Sequence, residues 1–145
     1  MTDMTMDNFL AVLSSSEPVP GGGGACGYVA AVGMSLGNMV LALTTGKKKY
    51  AEYQEEIEEL IVKATDLTKR LAECMDKDAE SFKPLAAAYG LPKDTEEQIK
   101  EREAIMAKAL VTASEAPLSM MEFILEAMKL IDRISVIGSR IAISD

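Results

Sequence analysis

The sequence predicts an all-α protein: an antiparallel up-and-down bundle of long helices with a Gly/Ala-rich helix at its centre. Three observations predict it. The segment Ala25 to Thr44 carries no charge and many small residues, so neighbouring helices can approach it closely. A long apolar seam beginning at Tyr50 repeats at alternating spacings of three and four, the period of helix–helix packing. Strand-like alternation is absent, and the connections are short, which favours antiparallel neighbours.

Taken in order, Met6, Phe9, Leu10 and Leu13 form an amphipathic stripe, so a short helix covers about 5–15. Ser14, Ser15, Ser16 and Pro18 end it. Next come Pro20 and a run of glycines, Gly21, Gly22, Gly23 and Gly24, which frees the backbone and lets a ligand approach the main chain. The helix expected from Ala25 would aim free N–H groups and the positive end of its dipole at that loop, an arrangement suited to an anion. The plainer reading of the glycines is a flexible connector. The helix itself has the length and lack of charge of a membrane span. Its glycines, with Ser35, Asn38, Thr44 and Thr45, dilute the hydrophobicity, and a buried helix in a soluble bundle is the better expectation. An acidic amphipathic segment precedes it and no basic n-region does, so it is not read as a signal peptide. Thr44-Thr45-Gly46 terminates it.

Three lysines, Lys47, Lys48 and Lys49, then open the long helix. Consecutive residues point in different directions, so at most one or two could serve a site; the bland reading is a solvated patch. The seam runs Tyr50, Tyr53, Ile57, Leu60, Ala64, Leu67, Leu71, Cys74, and its next position is Asp78, followed by Phe82 and Leu85. A carboxylate has taken a core position. Two readings stay open. Asp78 bonds a neighbouring helix end or a wet end of the seam, or it is a desolvated carboxylate facing a cleft, where acid–base chemistry or cation stabilisation is placed.

Pro84 is expected to kink or end the long helix, and Gly90-Leu91-Pro92 closes it. Asp94 or Thr95 caps the next, whose seam is read as Ile99, Ile105, Met106, Ala109, Ala113. Pro117 interrupts that helix, and Met120, Met121, Ile124, Met128 and Ile131 restore the period; residues from Asp132 to Arg140 read as loop. The 10 methionines read as adaptable core filler rather than a binding face.

Composition narrows the chemistry. Lys and Arg total 15 against 23 for Asp and Glu, a net charge of −8, which disfavours nucleic acid as a partner. Without His, an imidazole base, a His-containing triad and a His-ligated metal are excluded. Cys26 and Cys74 form no metal spacing and no disulfide framework, so a reducing cytoplasm is the default expectation.

Pro18-Val19-Pro20-Gly21-Gly22-Gly23-Gly24, Thr45-Gly46-Lys47-Lys48-Lys49-Tyr50, Asp78-Ala79-Glu80-Ser81-Phe82, Ala116-Pro117-Leu118 and Ile143-Ser144-Asp145 occur in the order and spacing of one family. The chain resembles, over essentially its whole length, the cyclodeaminase/cyclohydrolase family: the cyclodeaminase half of formiminotransferase-cyclodeaminase and the stand-alone methenyltetrahydrofolate cyclohydrolases. Gly24 stands where the family usually carries a serine, and Ser139 follows Gly138 where it usually carries an asparagine. The resemblance implies one helical-bundle domain over 1–145, lacking a C-terminal helix that the family has beyond the Ser-Asp pair. It implies a homodimer acting on tetrahydrofolate derivatives as substrates, with no metal or redox cofactor and no membrane. For the reaction it implies Asp78 or Asp145 as the group that stabilises the amidinium and moves protons. Lys48 would pair with glutamyl carboxylates or donate a proton, and Ser144 would orient Asp145. Pro20 and Gly21 to Gly24 would hold pterin or carboxylate oxygens. Cyclodeaminase and cyclohydrolase are both open on this reading; the alternative from another class is a non-catalytic bundle that has kept the scaffold as an assembly module.

Overall fold

The computed structural model describes residues 3–144. It contains α1 (Met6–Leu13), α2 (Gly22–Thr44), a 3-10 helix (Lys48–Tyr53), α3 (Gln54–Tyr89) and α4 (Glu96–Ile137), with no strand among the described residues. The all-α expectation holds. The chain forms two compact units, one of Met1–Cys26 with Glu73–Met120, the other of Gly27–Ala72 with Met121–Asp145.

Each helix begins and ends for local reasons. At α1, Thr5 accepts from the Asn8 N–H through its hydroxyl at 3.3 Å, satisfying a donor the helix cannot. At α4 the cap is reciprocal: Thr95 Oγ1 accepts from Gln98 N at 3.2 Å, while Gln98 Oε1 accepts from Asp94 N and Thr95 N at 3.0 and 3.2 Å. The end of α2 needs Gly46, whose φ of +73° is the left-handed conformation that turns the chain away. Gln54 staples that turn, accepting from Gly46 N at 2.8 Å and donating to Thr45 Oγ1 at 2.8 Å.

In the second unit, α2, α3 and α4 share one core. Ala31, Met34, Val40 and Leu41 come from α2, Ile57, Leu60, Ala64, Leu67 and Leu71 from α3, and Ala127, Ile134 and Ile137 from α4. The seam expected on α3 is thus the buried one. In the first unit the short connection after Tyr89 returns α4 antiparallel to α3, with Leu85, Ala88, Ala109 and Ala116 among the buried residues.

Several boundaries differ from expectation. α2 starts at Gly22 rather than Ala25, because glycine accepts helical as well as left-handed backbone and the run continues the helix. α3 runs through Pro84 and α4 through Pro117 without ending. α4 also continues to Ile137, where loop was expected. Its buried residues are Ala109, Ala116, Met120, Ala127, Ile134 and Ile137, so Met121 and Met128 of the expected seam lie exposed. The methionines divide accordingly: Met34, Met75 and Met120 are core, and Met6, Met39, Met121 and Met128 are not. α2 is long and apolar enough to cross a membrane by length and composition, with a mean hydropathy of 1.6. One face nevertheless lies in the core just described.

Candidate functional site

Two polar clusters stand out, one within each unit. The first joins the start of α2 to the middle of α3. Pro20 is buried, Gly21 and Gly23 are half-buried and Gly24 is buried, with Gly22–Gly24 forming the first turn of α2. Ala25 N makes the first helical bond, to Gly21 O at 3.1 Å, so the N–H groups before it have no acceptor within the helix. Asp78, half-buried on α3, lays its carboxylate on Gly23: a Cβ added at Gly23 would clash with both carboxylate oxygens. A side chain at that position would have to displace the carboxylate. The contact brings a negative group to the positive end of α2, the helix-end placement that one reading of Asp78 expected. The carboxylate stands beside the backbone donors of a helix start. A carboxylate there accepts from N–H groups or opposes a positive charge; neighbouring N–H groups hold oxygens.

The second cluster lies where α2 ends and α4 ends. Thr44 is fully buried; its hydroxyl donates to Val40 O at 2.6 Å and accepts from Ser139 N at 2.8 Å. That bond fixes the backbone after α4, and Ser139 is only 2% exposed. Lys47 Nζ donates to Ser139 Oγ at 3.4 Å. Tyr50, in the 3-10 helix, accepts from Arg140 N at 3.3 Å through its phenolic oxygen. The backbone N–H of Arg140 does most to lower the Tyr50 pKa; burial opposes this, while a hydrogen bond from Ser139 and the charges of Lys49 and Lys47 reinforce it. The Lys49 ammonium also stands 5.6 Å from the Tyr50 ring centre.

The residues singled out from sequence therefore divide. Asp78, Pro20 and Gly21 to Gly24 lie together in the first unit. Lys48 and Ser144, both exposed, belong to the second, and Asp145 lies outside the described residues. Of the lysines, Lys47 reaches the second cluster. Sequence reasoning missed Thr44, Lys47 and Tyr50 as members of a polar cluster. One signal was present: Thr44 follows Leu41 by three and Met34 by ten, in phase with the core, which is the argument that picked out Asp78. Among the described residues no three Cys, Asp or Glu side chains converge to hold a metal.

A bundle whose glycine-started helix carries a carboxylate from its neighbour defines a class that comparison with known proteins makes specific. A model of the formiminotransferase-cyclodeaminase family matches residues 5–145, and the chain belongs to that family. It is 38% identical over 141 residues to a methenyltetrahydrofolate cyclohydrolase of Methylorubrum extorquens, covering 97% of this chain and 68% of that one. It is 26% identical to the formimidoyltransferase-cyclodeaminase of Rattus norvegicus, where 100% of this chain spans 27% of the relative. The fold matches the crystal structure of formiminotetrahydrofolate cyclodeaminase from Thermotoga maritima with a TM-score of 0.83 at 22% identity, over 97% of this chain and 66% of that one.

Proposed function

We propose that the protein is a folate one-carbon enzyme working at the 5,10-methenyl carbon of tetrahydrofolate, as a methenyltetrahydrofolate cyclohydrolase. In that reaction water adds to the methenyl carbon and gives up a proton. The bond from that carbon to N-5 then breaks, N-5 gains a proton, and the formyl compound results. Cyclodeamination is the second reading, favoured by the family the chain belongs to. There N-10 attacks the formimino carbon on N-5, and ammonia leaves as the amidinium forms. Both reactions pass through a tetrahedral carbon beside a cationic amidinium, so one set of groups serves either.

The observation that carries the proposal is the Asp78 carboxylate set against Gly23 at the start of α2. Asp78 opposes the amidinium charge and accepts the proton released by the attacking nucleophile. The N–H groups of Gly21, Gly22, Gly23 and Gly24, shaped by Pro20, hold substrate oxygens. Lys48 pairs with the glutamyl carboxylates, and Ser144 with Asp145 supports the proton transfers. The substrate is the only folate required, with no metal or redox cofactor, and the enzyme works as a cytoplasmic homodimer without membrane or nucleic acid. The dimer is supported by an apolar face in the second unit, where Val29, Val32, Leu36, Met39 and Leu43 of α2 are exposed at alternating spacings of three and four.

The test is an absorbance assay on the methenyl chromophore. Accelerated loss of methenyltetrahydrofolate supports the cyclohydrolase, and chromophore gained from formiminotetrahydrofolate with ammonia release supports the second reading. Asp78→Asn is expected to lower kcat by about 10²–10⁴-fold, the usual worth of a general acid–base group, with helical circular dichroism retained. A folded wild-type protein inert towards both substrates would return the bundle to the class of non-catalytic scaffolds. Full activity in Asp78→Asn would remove Asp78 from the chemistry.

A further inference from the structure

The first unit holds a cavity that the folate reading does not use. Its volume is about 120 Å³, and it lies at the connection between α3 and α4. Gln98, Glu101, Arg102 and Ile105 line it from α4. Their spacing of i, i+3, i+4 and i+7 places all four on one face of that helix. Leu91 and Pro92, from the loop after α3, complete the lining. Arg102 carries a fixed positive charge, and its Nε is shielded from solvent with no hydrogen-bond partner among the described residues. Buried polar groups in folded proteins are almost always paired, because an unpaired one forfeits its bonds to water. Gln98 has only donors to spare. Its Oε1 accepts from Asp94 N at 3.0 Å and Thr95 N at 3.2 Å, which engages both lone pairs and leaves the amide N–H groups. Glu101 is the acceptor side chain of the lining; it is exposed and does not bond the Arg102 Nε.

We propose that this cavity binds a small aliphatic carboxylate. Arg102 holds the carboxylate through its Nε edge, Gln98 donates to it, and Leu91, Pro92 and Ile105 cover the hydrocarbon. The molecule itself shows what such an edge takes. Arg133 donates from Nε and Nη2 to the two oxygens of Glu56 at 2.6 and 2.7 Å, a fork matched to a carboxylate. At Arg102 no side chain among the described residues fills the Nε end of that fork, and the residue lines a cavity instead. The apolar walls favour an aliphatic acid over an inorganic anion, which would leave them wet. Size sets the chain length. Pockets for drug-sized molecules hold roughly 300–1,000 Å³, so the ligand here is a short chain. The lining shares no residue with Asp78 or Gly21 to Gly24, and the proposal stands whether or not the protein acts on folates. Glu101 sets the limit on affinity, since its like charge opposes the ligand from the rim.

The experiment is an NMR titration of the full chain with butyrate, followed at the arginine Nε–H groups and at the methyl groups of Leu91 and Ile105. Butyramide, the neutral isostere, and sodium chloride at matched ionic strength are the controls. Butyrate is expected to move the Arg102 Nε–H signal, assigned by its loss in Arg102→Leu, along a saturable curve. The Leu91 and Ile105 methyls are expected to follow the same curve, and Arg133, already paired with Glu56, to stay still. A hydrogen bond to a charged group is worth about tenfold or more in affinity, so Arg102→Leu is expected to need at least about ten times more butyrate for the same methyl shifts. Glu101→Gln lifts the like charge from the rim and is expected to tighten binding by up to about fivefold. Should Arg102→Leu fail to fold, the butyramide comparison and Glu101→Gln, at an exposed position, carry the test without it. The proposal is overturned by shifts that rise without saturating, by butyramide or chloride acting as butyrate does, or by weaker binding in Glu101→Gln. An Arg102 signal that stays still overturns it as well, and leaves water as the partner of that N–H.

Discussion

Asp78 and Gly23 set the cost of changing each other. Where the α3 seam calls for an apolar side chain, the chain places a carboxylate, and the helix opposite gives up its Cβ to admit it. Gly23→Ala sets two effects against each other. Alanine in place of glycine favours a helix by about 1 kcal/mol, whereas forcing an atom into an occupied space costs about 1–3 kcal/mol. The Asp78 side chain is short, so relief requires the carboxylate to move off the helix start. The expected outcome is a small net change in thermal midpoint with a kcat loss approaching that of Asp78→Asn. Kinetics and melting curves on the same preparation check it; an unchanged kcat would show that the carboxylate's place on Gly23 does not matter to the chemistry. Glu56 and Arg133 make the opposite kind of pair. Their bonds of 2.6 and 2.7 Å are bidentate, and both side chains are about two-fifths exposed, at 38% and 43%. The Arg133 hydrogen bonds hold the Glu56 pKa below its usual value, with burial opposing and the charges of Arg133 and Lys63 assisting. A depressed carboxylate contributes stability above its unfolded pKa and loses it as pH falls through the folded one. The melting temperatures of wild type and Glu56→Gln are therefore expected to differ at neutral pH and to converge in acid. Solvent screening keeps the neutral-pH gap small, and added salt narrows it further.

At the scale of elements, legibility followed the contrast between faces. α3 alternates an apolar seam with Glu and Lys on its outer face, so its phase could be read directly, and Asp78 stood out because the seam was otherwise regular. α4 offers no such contrast. Met121, Leu125 and Met128 are as apolar as the Ala127, Ile134 and Ile137 that are buried, so periodicity alone could not choose the face, and the exposed methionines were read as core. Pro84 does not end α3 and Pro117 does not interrupt α4, since a proline removes one helical bond but does not decide whether packing carries the helix past it. The glycine run was legible as a place where something approaches the backbone. That it is already helical from Gly22 was not, because glycine carries no side chain whose pattern marks a boundary. The choice among three lysines was equally closed to sequence. Lys47 meets Ser139 because Gly46 turns the chain just before it, and the partner is 92 residues away.

For the molecule as a whole, the unspent apolar surface argues for a partner. In the second unit α2 turns one face into the core and leaves Val29, Val32, Leu36 and Leu43 in the open, with Val29 69% exposed. On α4 of the same unit Met121, Leu125 and Met128 are exposed as well. Scattered apolar residues on a surface need no explanation, but a stripe at heptad spacing is the form in which helices meet one another. A second copy of the chain presents the same stripe, and Gly33, beside it with open space where a Cβ would stand, lets a neighbouring backbone come close. Leu36→Glu separates the possibilities. On a free surface such a change alters stability by within about 0.5 kcal/mol and leaves the assembly state alone. At the centre of an apolar interface it buries an unpaired carboxylate, and the dimer dissociates. Sedimentation equilibrium is expected to find a wild-type dimer and a folded, monomeric Leu36→Glu. A wild type that sediments as a monomer would refute the dimer, and a variant that stays dimeric would move the interface away from this face of α2.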